Sequence, residues 1–199
     1  DYNVEGFGII PGSGSNQFRY QVTASVGDEF GNPVKQGTAV DFRTRHGGII
    51  QGSAITDNEG LATVILRPDG SQPTTSPRGI GFIEVEAKTI DENDIPTIGT
   101  IDMLFTTRRA LIDINPATVN IPANGSQTFT VTVTDLNGYP MAAGTTITAQ
   151  VPDGLEIPDA VVELADNFQT GPGRTVFNFV VSDTDDQSSA TEAATFTIV

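Results

Sequence analysis

One pattern of turn residues occurs twice in this chain, and it limits the possible folds more than any other feature. Asp28-x-x-Gly31-x-Pro33-x-x-x-Gly37 returns as Asp135-x-x-Gly138-x-Pro140-x-x-x-Gly144. The offset is 107 at every matched position (135 minus 28, 138 minus 31, 140 minus 33, 144 minus 37), and Val26 and Val40 map onto Val133 and Ile147. A repeat of this length predicts two copies of one fold unit. In each copy the aspartate ends a strand by bonding its side chain to the turn backbone, and the first glycine takes the position at positive φ. Proline then starts an edge segment where no ladder N–H is required, and the second glycine admits the next strand. A chain of 199 residues has room for two such units of roughly 100 each.

Between these turns the chain alternates apolar and polar residues with period two, and no convincing helical period competes with it. The expected fold is all-β. Phe18, Tyr20, Val22, Ala24 and Val26 fall on one face of a strand, and Phe129, Val131 and Val133 alternate with Thr128, Thr130, Thr132 and Thr134 on another. Further strands are expected at Thr38 to Arg45, Leu61 to Leu66, Phe82 to Thr89 and Ile98 to Thr106, then at Thr145 to Val151, Thr175 to Val181 and Ala194 to Val199. The segment Thr107-Arg108-Arg109-Ala110 follows the last strand of the first copy, which places the units at residues 1–109 and 110–199. No Gly/Ser-rich or Pro-rich tract separates them, so limited interdomain movement is expected. The chain starts at Asp1 and stops at Val199 inside a strand-like segment, and so reads as a mature fragment or an excised piece.

Composition removes several function classes. The 37% of hydrophobic residues is enough for a packed core, and no apolar run of about 18 residues is present to span a membrane as a helix. Ten basic residues against 25 acidic ones give a net charge of -15, which repels nucleic acid and anionic lipid. The charge is unevenly divided. Residues 1–109 hold 14 acidic and 9 basic side chains (net -5), and residues 110–199 hold 11 acidic and one basic, Arg174 (net -10). Cysteine is absent, which excludes disulfides, thiolate nucleophiles and cysteine metal sites, and is compatible with export.

About seven short strands per 100 residues, with turns every 8 to 12, point to an immunoglobulin-like sandwich. Val22-x-Ala24-x-Val26-x-Asp28-x-x-Gly31-Asn32-Pro33-Val34-x-x-Gly37-x-x-Val40-x-Phe42, then Gly47-Gly48, Thr56-Asp57-x-x-Gly60-x-Ala62-x-Val64 and Ile83-x-Val85-x-Ala87, resembles the bacterial immunoglobulin-like domain of invasin and intimin. In the second copy the resemblance holds at Val131-x-Val133-Thr134-Asp135-x-x-Gly138-x-Pro140. There the Thr-Asp-x-x-Gly-x-Ala element is missing, and Asp166-Asn167-Phe168-Gln169-Thr170-Gly171-Pro172-Gly173 stands in its place, as in a diverged relative. The chain has neither the disulfide nor the buried Trp of antibody domains. The resemblance implies two tandem immunoglobulin-like β-sandwiches, a module strung in series on exported bacterial proteins, where such domains act as stalks and sometimes as adhesive tips.

Catalysis has little to work with. His46 is the sole histidine, beside Gly47-Gly48 at a strand end, and reads as a loop residue. Gly12-Ser13-Gly14-Ser15 reads as a flexible turn, and the Gly-x-Gly pairs at 6/8, 79/81 and 171/173 lack the third glycine and the helix that phosphate binding needs. No catalytic, cofactor or resident metal residue is therefore assigned. Calcium is carried as the one metal possibility, because hard cations take several loop oxygens. Its candidate ligands are Asp91, Glu92 and Asp94 in Asp91-Glu92-Asn93-Asp94, and Asp183, Asp185 and Asp186 in the second copy; a solvated acidic loop is the plainer account of both. Asn124-Gly125-Ser126 suits a turn, and Arg108-Arg109 suits pairing with carboxylates.

The expected function is that of a non-catalytic structural or spacer module of a bacterial surface or secreted protein, part of an adhesin-like rod. Its partners would be neighbouring domains of the same chain. The alternative is a binding module that engages a host receptor, a glycan or a partner protein through end loops, with Tyr2, Phe30, Tyr139 and Phe168 as its turn aromatics. A rod should give a radius of gyration well above the roughly 16 Å of one compact globule of this length.

Overall fold

The computed structural model describes residues 7–9, 19–70, 72–184 and 197–198. The chain is all-β and divides into two units, residues 1–108 and 109–199.

The first unit contains β1 (Phe7–Ile9), β2 (Tyr20–Ser25), β3 (Ala39–Arg45), β4 (Ile49–Ile50), β5 (Ser53–Ile55), β6 (Leu61–Arg67), β7 (Phe82–Ile90) and β8 (Pro96–Thr106). One sheet runs in the order β1-β8-β7-β3-β5 and the other in the order β2-β6-β4. All pairings are antiparallel except β1 with β8, which is parallel. The alternation seen in the sequence explains why these segments pair as they do. Val22 and Ala24 of β2, Val64 and Leu66 of β6, Val40 and Phe42 of β3, Ile83 and Val85 of β7, and Met103 and Phe105 of β8 project into one core between the sheets. Burying each large aliphatic or aromatic side chain there contributes roughly 1.5–3 kcal/mol. Between β3 and β6 the chain crosses the open side of the sandwich: β4 pairs with β6 in one sheet, and β5 returns to β3 in the other.

The second unit contains β9 (Leu111–Asn115), β10 (Ser126–Thr134), β11 (Thr146–Gln150), β12 (Leu155–Glu156), β13 (Val161–Glu163), β14 (Val176–Asp183) and β15 (Thr197–Ile198). Its sheets run β12-β14-β10-β9 and β13-β11-β15. The scheme repeats that of the first unit: β10 pairs with β14 as β2 pairs with β6, and β11 lies between β13 and β15 as β3 lies between β5 and β7. Val131, Val133, Ile147, Ala149, Leu164, Phe177 and Phe179 form its core.

The repeated turn behaves as its residues require. Oδ1 of Asp28 accepts the N–H groups of Phe30 (2.9 Å) and Asn32 (2.8 Å), and Oδ1 of Asp135 accepts those of Asn137 (2.8 Å) and Tyr139 (3.0 Å). Gly31 and Gly138 sit at φ of 82° and 83°. The same loop occurs twice more in the first unit, once at the Asp57-x-x-Gly60 element and once at Asp91, where no glycine marks it in the sequence. Asp57 accepts from Glu59 and Leu61, and Asp91 accepts from Asn93 and Ile95, each between 2.8 and 2.9 Å. In all four loops the first residue's N–H donates to the fifth residue's carbonyl, and the fourth residue's N–H donates back to the first residue's carbonyl.

Candidate functional site

Within each unit, the described candidates do not come together in one place. His46 is held at φ 74° in a tight turn, its Nδ1 lying 3.3 Å from Thr75 Oγ1, and no carboxylate is bonded to it among the described residues. Asp91 spends Oδ1 on the two N–H donors of its own turn, so it acts first as a backbone cap. Asp94 occupies that turn's left-handed position at φ 62°. Asp183 accepts the Asn124 N–H at 3.0 Å, tying the β9–β10 turn to the end of β14, while Asp185 and Asp186 fall outside the described residues. Among the described residues, no three His, Cys, Asp or Glu side chains gather around a possible metal position. Of the four turn aromatics, Phe30 is 81% exposed, Tyr139 and Phe168 are half-buried, and Tyr2 falls outside the described residues.

The most organised polar surface is one the sequence analysis did not single out: the outward side of β3, β7 and β8. Alternation that turns Val40 and Phe42 inward turns Asp41, Arg43 and Arg45 outward, and on β7 it does the same for Glu84, Glu86 and Lys88. The register of the β3–β7 pair sets Asp41 beside Lys88, Arg43 beside Glu86 and Arg45 beside Glu84. Each cross-strand pair therefore joins opposite charges.

Glu86 anchors this ladder. Its side chain is 5% exposed, covered by Arg43 Nη2 at 2.6 Å and Arg45 Nη2 at 3.1 Å, while Arg45 Nε reaches Glu84 Oε1 at 3.3 Å. The hydrogen bond from Arg43 holds the Glu86 carboxyl below its ordinary range, against the opposing pull of burial. The same bond raises the Arg43 guanidinium. A shallow cavity of about 280 Å³ opens beside the ladder, lined by Asp41, Phe42, Arg43, Glu86, Lys88 and Ile98. On β8, Ile98 pairs with Lys88, and at the far end Asp102 is bonded to Arg78, whose guanidinium lies 5.5 Å from the centre of the Phe82 ring. Ile90, Ile95 and Ile98 stand exposed around the β7–β8 turn. Chemically this is a surface of paired charges with an aliphatic margin, suited to non-covalent contact. The individual strands show the signal as Asp-x-Arg-x-Arg and Glu-x-Glu-x-Lys, but their register cannot be read from either strand alone.

No protein-family model matches the sequence, and no curated protein matches it. Among solved structures the chain is similar to the D0-D1 domain of intimin, at 19% identity over 91% of this chain and 82% of that one, with a TM-score of 0.40. It is also similar to a C-terminal 282-residue fragment of intimin in complex with the intimin-binding domain of the translocated intimin receptor, at 14% identity and a TM-score of 0.42, covering 100% of this chain and 62% of that one. A third likeness is to the D00-D0 domain of intimin, at 12% identity over 98% and 95% of the two chains, with a TM-score of 0.34. These are likenesses of fold; the immunoglobulin-like assignment stands on the strand order and register described above.

Proposed function

We propose that the chain is a non-catalytic structural module, two immunoglobulin-like sandwiches in series that act as a spacer in an exported bacterial surface protein. The observation that supports this reading is that one strand scheme and one turn are used repeatedly, with the turns closed on themselves. Turn carboxylates that bond their own backbone are spent on holding the fold, and they favour a scaffold over a reaction centre. Small-angle scattering tests it: a radius of gyration well above about 16 Å is expected, and a value near that of one compact globule would overturn the spacer reading.

A binding role through an end loop has one observation in its favour, the 81% exposure of Phe30 in the Asp28–Asn32 turn. An aromatic ring held that far into water by a rigid turn is an anchor in search of a pocket. Loss of adhesion by a Phe30→Ala surface-displayed protein would favour that reading, and unchanged adhesion would remove it.

A further inference from the structure

We infer that the outward face of β3, β7 and β8 is a homophilic contact surface, on which the first unit of one chain meets the same face of a second copy. The argument is one of charge order. Along the strand direction the ladder has three rows: Asp41 with Lys88 at one end, Arg43 with Glu86 in the middle, and Arg45 with Glu84 at the other end. The end rows have reversed polarity, minus on β3 and plus on β7 at one end, plus on β3 and minus on β7 at the other. Turn a second copy about a two-fold axis that lies in the interface and runs across the strands, and the ends exchange while β3 stays over β3 and β7 over β7. Asp41 then faces the second copy's Arg45, and Lys88 faces its Glu84. All four end positions of each copy meet the opposite charge. In the middle row Glu86 is buried and neutralised by the two arginines, so the like-with-like contact there is between ion pairs rather than bare charges. The cavity beside Asp41, Lys88 and Ile98 borders the position that the incoming Arg45 faces, and that arginine keeps its bonds to Glu84 and Glu86 of its own chain.

The charge of the rest of the molecule favours a second copy over a basic partner. The six ladder residues, three acidic and three basic, sum to zero, so the whole net charge of -15 lies elsewhere on the chain. A basic partner is drawn more strongly to those other surfaces, whereas a like-charged chain is repelled least at the neutral one. Exposed Ile98 and Ile90 supply apolar contact at its edge. The face is small, on the order of 400 Å² per copy at ordinary strand spacing, against the roughly 800 Å² of a stable interface. Association of the free chain is accordingly weak, and gains strength where many copies are held on one surface.

Sedimentation velocity over a concentration series tests the inference, using the whole chain at moderate salt. Wild type should self-associate weakly, and neither Lys88→Glu nor Glu84→Lys should associate alone, each weakened at least roughly tenfold by like charges facing across the two-fold. An equimolar mixture of the two should associate again, because each then presents the charges the other lacks. Val161→Glu, an exposed position of the second unit, should change nothing. Concentration-dependent amide shifts of wild type, centred on residues 41, 45, 84 and 88, give the same answer without any variant should Glu84→Lys fail to fold. Wild type monomeric at about 1 mM with no such shifts, or a mixture no tighter than either variant alone, would overturn it.

Discussion

At the fourth position of the Asp91–Ile95 turn an aspartate occupies the left-handed region that glycine fills in the three sister turns. An L side chain there costs about 1 kcal/mol or more, which glycine avoids at the expense of a floppier unfolded chain. Asp94→Gly is expected to stabilise the first unit by about 0.5 kcal/mol, read from urea denaturation. The converse changes should differ among themselves. A Cβ on Gly31 meets nothing within 4 Å, so Gly31→Ala costs only the backbone strain, about 1 kcal/mol. A Cβ on Gly60 would lie 2.5 Å from the Val26 carbonyl oxygen, so Gly60→Ala should cost more than about 2 kcal/mol. Equal losses for the two would show that the close approach is relieved by movement. The first and second copies of the turn were legible in the sequence because Asp and Gly both appear. The copy at Asp57 shows both residues as well, whereas the one at Asp91 was hidden because Asp94 stands in the glycine position. Glu86 carries a prediction in pH. Its carboxyl is held low in the folded protein, so the stability it contributes is present above the ordinary carboxylate range and is lost as the pH falls below about 4.5 toward its folded value. Asp28 acts in the same direction, chiefly through the Asn32 side-chain amide. Acid denaturation of Glu86→Gln should therefore show a flatter acid limb than wild type; a superimposable limb would mean that the pair is not formed in solution.

At the scale of elements, β8 is the strand on which the first core most depends. Ile101, Met103 and Phe105 reach inward from it, and Phe105 is fully buried against Tyr20 at a ring separation of 5.9 Å. Phe105→Ala should lower stability by about 3–5 kcal/mol, whereas Val180→Ala, on the exposed side of β14, should cost under about 1 kcal/mol. The long strands were legible because five or more residues of alternation are needed to display a period, and β2, β3, β6, β7, β8, β10, β11 and β14 supply them. Strands of two or three residues, β4, β5, β12 and β13, give no period at all, and they exist because neighbouring strands offer free edges. Phe18 and Val26, read as ends of the first strand, fare differently: Val26 is buried just past the end of β2, and Phe18 lies outside the described residues. Composition reports the charge of the acidic loops but not what each oxygen already holds. Melting in calcium and in chelator is expected to give superimposed curves from the Asp91 loop, whose Oδ1 is already taken by two backbone donors. A shift abolished by Asp91→Asn would place a calcium ion at this loop.

At the scale of the whole molecule, each unit has its own core, and the two carry different burdens of charge. Residues 110–199 hold 11 acidic side chains and one basic, Arg174, which bonds the amide oxygens of Asn167 and Gln169 and, among the described residues, no carboxylate. Self-repulsion weakens a compact state and is screened as the Debye length shrinks from about 30 Å at 0.01 M to about 8 Å at 0.15 M salt. Over that range the second unit should gain more thermal stability than the first, followed as separate hydrogen-exchange protection of the two cores. Equal gains would show that local ion pairing, and not net charge, governs both. The parallel pairing of β1 with β8 bears on what happens when the chain is pulled. Tension entering at the N-terminal end of β1 and leaving at the C-terminal end of β8 runs along both strands in opposite senses, so it slides one past the other. Their hydrogen bonds then share the load together instead of parting one at a time, as they would in a hairpin opened from its free end. The first unit is thereby built to yield late under force, with its rupture set by the rate of loading rather than by its equilibrium stability.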